Sequence, residues 1–155
     1  MAAGDVKKTF RFRKETVKSK TNTAVTKGDI LVYDTDGHAP GTQALTKVSL
    51  SKRFKKYVAT ESVAAVASTQ TGLPVLAEGV IDIRKVSGAL EKGQIVGLTA
   101  TAGKVGAWTP PDLGVAAWCA TAIQAELEKL GYAIGEAQDA AASGDDPVTT
   151  ILGSI

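Results

Sequence analysis

From residue 27 onward the chain is cut into short β-prone runs by Gly, Asp and Pro, and this spacing constrains the fold most tightly. Ile30-Leu-Val-Tyr33 runs into Asp34-Thr-Asp36-Gly37, and Asp-Gly favours a tight turn with positive φ. Phe54 to Ala59, Pro74 to Ala77, Val80 to Arg84, Ile95 to Thr99, Lys104 to Trp108 and Val148 to Leu152 read as further strands. Ser62-Val-Ala-Ala-Val-Ala-Ser68 reads equally as a strand or a helical turn. Short strands at even spacing, broken at glycines, predict a mainly all-β fold, a compact barrel or sandwich. At 155 residues there is room for one such domain and not for two.

Two segments depart from the pattern. Residues 1–26 read as an extended basic N-terminal arm preceding a single domain over 27–155. In Thr9-Phe10-Arg11-Phe12-Arg13-Lys14 aromatic and basic residues alternate at period two, which suits a strand lying on a surface. The following Lys18-Ser-Lys-Thr-Asn-Thr-Ala-Val-Thr26 is polar, with no apolar face of its own. The other reading of this stretch is a first strand tucked into the domain's sheet. The second departure is an amphipathic helix at about 112–130. Val115, Cys119, Ile123 and Leu127 recur at spacing four after Asp112, a plausible cap, and Gly131 is the stop. Its stripe is expected to pack on the barrel, with Cys119 as a small buried hydrophobe; binding a partner is the other use of such a stripe.

The chain also resembles itself. Lys27-Gly-Asp-Ile-Leu-Val-Tyr33 returns loosely as Lys92-Gly-Gln-Ile-Val-Gly-Leu98, and Tyr57-Val-Ala-Thr-Glu61 as Tyr132-Ala-Ile-Gly-Glu136. Pro74-Val75 and Pro147-Val148 follow, each after an Ala-rich stretch. Two halves of one plan can close a barrel by pairing with each other.

Chemistry-bearing residues are sparse. Cys119 and His38 are single, which removes the thiol, imidazole and zinc constellations that need several such groups. Gly88-Ala-Leu-Glu-Lys-Gly93 has phosphate-loop spacing but Gln94 stands where lysine is required, so it reads as a turn. Asp34-Thr-Asp36-Gly37 lacks the later acidic ligand of a calcium loop, with Leu45 at the twelfth position. Asp145-Asp146 reads as a solvated turn, and Trp108 as a core edge or an interface residue. These absences predict a protein that is not an enzyme and takes no cofactor or metal. No apolar run approaches the ~20 residues of a membrane span, and the N-terminus has no apolar core of a signal peptide. Synthesis in a cytoplasm is expected.

Charge supplies the positive signal. Residues 1–56 carry thirteen basic against five acidic groups, net +8, while residues 57–155 carry five against eleven, net −6. A bipolar chain predicts a charged partner, or copies packed head to tail. The candidate contact residues are Lys7, Lys8, Phe10, Arg11, Phe12, Arg13 and Lys14 in the arm, and Lys52, Arg53, Lys55 and Lys56 beside Tyr57. Basic residues beside aromatics also suit nucleic acid, although the overall net charge of +2 argues against it.

The succession Gly28-Asp29-Ile-Leu-Val32, Val58-Ala-x-x-Ser-Val-Ala64, Pro74-Val-Leu-Ala-Glu-Gly-Val80, Lys92-Gly-Gln-Ile-Val96, and Gly131-Tyr-Ala-Ile-Gly135 running into Ala140 to Val148 resembles the small cement, or decoration, proteins of tailed-phage capsids. It covers roughly residues 27–109 and 131–153. The resemblance implies a β-barrel or β-tulip-like domain on the outer surface of a virion, bound to the major capsid protein, usually as a homotrimer, with an N-terminal arm reaching across capsomers. The helix at about 112–130 and the strongly basic arm depart from that pattern. A nucleic-acid-binding module using the arm and the cluster from Lys52 to Tyr57 is the alternative.

Overall fold

A computed structural model describes residues 3–4, 6–34, 44–47, 50, 55–66, 70–114, 119–144 and 147–152. The protein is mostly β. Its strands are β1 (Val6–Lys18), β2 (Ile30–Asp34), β3 (Ala44–Lys47), β4 (Tyr57–Ala59), β5 (Gly72–Ile83), β6 (Ile95–Leu98), β7 (Val105–Ala107), β8 (Ala133–Ala137) and β9 (Val148–Leu152), with α1 (Ala120–Glu128) and a 3-10 turn (Lys129–Tyr132) between β7 and β8. All strand pairs are antiparallel, and the sheet curls into a half-barrel.

The strand order β3-β2-β4-β5-β9-β8-β6-β7 is the same four-strand plan written twice, back to back. Hydrogen bonds show the duplication residue by residue. Gly28 N donates to Ala59 O at 2.8 Å, and Gly93 N donates to Ala137 O at 2.8 Å. Ala59 N returns to Asp29 O at 3.0 Å, and Ala137 N to Gln94 O at 2.9 Å. Val25 and Val63 exchange both backbone bonds, as do Leu90 and Ala141. Even the side-chain brace recurs: Thr26 N donates to the Asp29 carboxylate at 2.8 Å, and Glu91 N to the Gln94 amide oxygen at 3.0 Å. Gly28 (φ 86°) and Gly93 (φ 83°) occupy the left-handed region that this corner demands. The Lys27/Lys92 match read from the sequence is therefore the structural one. The Tyr57/Tyr132 match is three residues out of register, because Ala59 corresponds to Ala137.

The two halves meet along β5 and β9, where Gly79 to Ile83 pair with Leu152 to Val148. Pro74–Ala77 and Val80–Arg84, expected as two strands, belong to one strand: Gly79 does not end it but sits inside it at φ 134°. Successive residues of a strand point to opposite faces, and both faces are covered here. Ile30, Val32, Leu76, Ile81, Val96, Val105 and Leu152 share one cluster; Leu31, Tyr57, Leu73, Val75 and Ala77 share a second.

β1, the stretch expected as an arm, runs along β5 from Lys18↔Gly72 to Val6↔Ile81. The alternative reading of a strand on the domain's own sheet describes its backbone.

Candidate functional site

Nine residues make a helix too short to persist unaided, so what holds α1 fixes what it presents. Cys119, in extended conformation, caps it: Ala122 N donates to Cys119 Sγ at 3.4 Å. Asp112 is not the cap that the sequence suggested. Its carboxylate accepts from Gly114 N at 2.9 Å in a local turn, because a short acceptor two residues before an amide satisfies it there first. The Asp112 backbone N–H instead donates to Glu126 Oε2 at 2.7 Å. Lys129 Nζ bonds the same oxygen at 2.6 Å. This hydrogen bond to the Lys129 ammonium, joined by the Asp112 amide, lowers the Glu126 pKa from its usual value. Trp108 donates its indole N–H to Lys129 O at 2.7 Å and is half-buried against Gly97, where an added Cβ would lie 2.9 Å from the Trp108 side chain.

These polar ties anchor the helix without burying its apolar stripe. No residue of α1 is buried. Leu127 is 48% and Leu130 57% exposed, with Leu113 at 46% on the preceding turn. Ala120, Ile123, Leu127, Leu130 and Gly131, with Gln124 and Glu128 at the edge, line an open concavity of about 730 Å³. Two expectations are corrected. Among its described residues the stripe does not pack on the barrel, since none of α1 is buried, and Cys119 is exposed rather than a buried hydrophobe; Val115 lies outside the described residues.

The basic cluster adjoins this concavity. Lys56 is buried at 5% exposure, and its ammonium donates to Gly131 O at 3.5 Å, joining the residue before β4 to the 3-10 turn. Lys55 is exposed, its ammonium 5.1 Å from the centre of the Tyr57 ring. Tyr57 packs edge-on against Tyr33, with ring centres 5.4 Å apart. The cluster therefore splits just before β4, one lysine outward and one inward. Lys52 and Arg53 lie outside the described residues, as do His38 and Asp145-Asp146. Lys7, Lys8, Phe10, Arg11, Phe12, Arg13 and Lys14 all lie on the backbone of β1. Their register is interrupted: Lys8 faces Val80 and Arg13 faces Glu78, so Thr9 to Phe12 stand opposite Gly79 alone.

Sequence reasoning missed the buried charged residues Asp29, Asp82 and Lys85. Asp29, fully buried, accepts from Arg84 Nη1 at 2.6 Å, with Lys47 Nζ at 3.8 Å, so β2, β3 and the end of β5 meet there. Lys85, also fully buried, gives its ammonium to three backbone carbonyls, Val86, Gly88 and Gly144. Arg84, the partner of Asp29, and Gly144, one of the three carbonyls on Lys85, lie 55 and 59 residues away, beyond any local pattern. The only hint for Asp29 was its place in a repeat whose other copy has Gln94. Gly88 to Gly93 forms a turn entering β6, as expected.

Among the described residues no group of three or more His, Cys, Asp or Glu could hold a metal ion, and no helix is long and apolar enough to cross a membrane. Compared with known protein families, curated proteins and solved structures, the chain matches none.

Proposed function

We propose that this is a non-enzymatic structural protein of a virion, which binds the outer surface of a tailed-virus capsid and stabilises the shell. Its partners in this reading are the major capsid protein and further copies of itself, arranged as a homotrimer after synthesis in the host cytoplasm. One observation carries the binding role: a sheet filled on both faces stands beside a helix whose leucines are about half exposed. A grouped apolar surface on an otherwise satisfied domain marks an interaction site. The capsid as partner comes from the resemblance, whose glycine-marked segments, Gly28-Asp29 and Lys92-Gly93, coincide with the duplicated corners of the sheet. A cement also gains from rigidity and many copies, since weak contacts repeated over a lattice lock it by avidity.

The test is co-sedimentation with expanded capsids across a salt series. Two aromatic rings buried at a contact contribute roughly 2–3 kcal/mol each, whereas exposed ion pairs contribute about 1 kcal/mol or less. Phe10→Ala with Phe12→Ala should therefore release the protein at every salt concentration. Arg11→Ala with Arg13→Ala should weaken binding mildly and flatten its salt dependence. Wild-type protein that ignores capsids but is retained on DNA in a salt-dependent way would replace this reading with the nucleic-acid module.

A further inference from the structure

Lys85 is fully buried. Among the described residues its ammonium bonds three carbonyl oxygens and no carboxylate: Val86 O at 3.3 Å, Gly88 O at 3.1 Å and Gly144 O at 2.5 Å. A primary ammonium has three N–H donors, and each here has an acceptor. We infer that these carbonyls form a site for a primary ammonium ion, filled in this chain by its own Lys85. Filling that site holds the segment before β9 against the turn that leads from β5 toward β6.

Three observations converge. The first is the acceptor set. Burying an ammonium is costly unless hydrogen bonds replace its water, and here neutral carbonyl dipoles replace it without an acid. Carbonyl oxygens alone suit a singly charged cation, as in potassium-selective pores, whereas a divalent cation usually takes carboxylates. The second is backbone conformation. Gly88 and Gly144 stand at φ 116° and 120°, yet a Cβ at either would meet nothing within 4 Å. Crowding does not require glycine at these two positions, whereas the positive φ does, and the carbonyls of both meet on one ammonium. The third is the duplicated plan. Lys85-Val-Ser-Gly-Ala-Leu90 aligns with Lys20-Thr-Asn-Thr-Ala-Val25, so each half places a lysine five residues before its cross-bridge. In the second half that bridge is Leu90 with Ala141, which exchange both backbone bonds at 2.9 Å. The bridge and the ammonium therefore join the same two segments, 86–90 and 141–144.

Two measurements test the site. In the wild-type protein the Lys85 Nζ protons should persist in ¹⁵N NMR spectra in which those of the exposed Lys55 are lost to exchange with water. Lys85→Ala removes three methylenes and the ammonium, which together have the shape of n-propylammonium. Its Leu90 and Ala141 amides should exchange faster than in wild type. Titration with n-propylammonium should slow them again, by about tenfold at ten times its dissociation constant. 1-Propanol, which has the same shape and no charge, should not slow them. Lys85→Met, which keeps much of the stem and has no donor, should exchange like Lys85→Ala. Rapid exchange of the wild-type Nζ protons, wild-type amide exchange in Lys85→Ala or Lys85→Met, no slowing across the n-propylammonium titration, or equal slowing by 1-propanol would each overturn the inference. So would a Lys85→Ala protein that folds neither alone nor in n-propylammonium.

Discussion

The buried Asp29 offers the sharpest test of how the first half of the sheet is held together. Its carboxylate is fully buried and has the Thr26 amide at 2.8 Å, the Arg84 guanidinium at 2.6 Å and the Lys47 ammonium at 3.8 Å. Arg84→Met keeps most of the aliphatic stem and removes the charge. The carboxylate would then be left with one amide and a distant lysine. Breaking a buried ion pair from one side costs about 3–5 kcal/mol. The side chains of Arg84 and Lys47 are each 32% exposed, so water partly compensates, and about 2–3 kcal/mol is the better expectation. Asp29→Asn in the Arg84→Met background retains an acceptor for Thr26 and removes the stranded charge. It should return roughly 1–2 kcal/mol of that loss. The second half of the fold shows that a neutral acceptor suffices at this corner, since Gln94 braces Glu91 there without an ion pair. The assay is urea unfolding of the four proteins of the double-mutant cycle. With an m-value of about 2 kcal/mol/M, Arg84→Met should lower the midpoint by about 1 M. A midpoint within about 0.2 M of wild type, or an additive cycle, would show that the pair is not coupled through a buried charge.

Two further expectations follow from local geometry. Glu126 should titrate below the ordinary glutamate range when its side-chain carboxyl is followed by NMR, and Lys129→Met should move it back up; because its folded pKa is depressed, its contribution is present above the usual value of 4.5 and is lost as pH falls through the lowered one. Gly135→Ala should destabilise by about 3 kcal/mol or more in thermal unfolding, since the new Cβ would collide with the Ile151 carbonyl oxygen across β8–β9 and backbone must shift to admit it; an unchanged melting temperature would refute that packing.

How far the fold was legible depended on how local the determining contacts are. β2, β6 and β9 were readable as apolar runs ended by turn residues, and the Lys27 and Lys92 corners were readable as one turn used twice. The long β5 was not, because a glycine that signals a break in sequence is accommodated as an irregularity within a strand. β3 and β8 were missed: four and five residues with little alternation carry almost no signal without their partners. The helix was found but its start was not, since apolar periodicity extends back to Val115 while the described helix begins at Ala120. Its exposure was unreadable for a different reason. An amphipathic stripe announces that something will cover it, and only the positions of Trp108, Asp112 and Lys56 show that its own sheet does not. The buried charges at Asp29, Lys56 and Lys85 were invisible, because each depends on at least one partner far off in the chain: Arg84, Gly131 and Gly144 respectively.

The paired corners at Gly28 and Gly93 have a consequence for how such a chain can change over generations. Each corner asks for a glycine at positive φ and for a side-chain oxygen three bonds or four from Cα, and the remaining partners are main-chain groups. Aspartate meets the second demand in one copy and glutamine in the other. At the corners themselves the side-chain acceptor can therefore change while the main-chain pairing stays put, and there the two copies differ. One has recruited its acid into a charged junction with Arg84 and Lys47. The other has accepted a helix between its strands, a surface that the first copy lacks among the described residues. Redundancy in the scaffold thus leaves room for a difference in what each half offers to the outside.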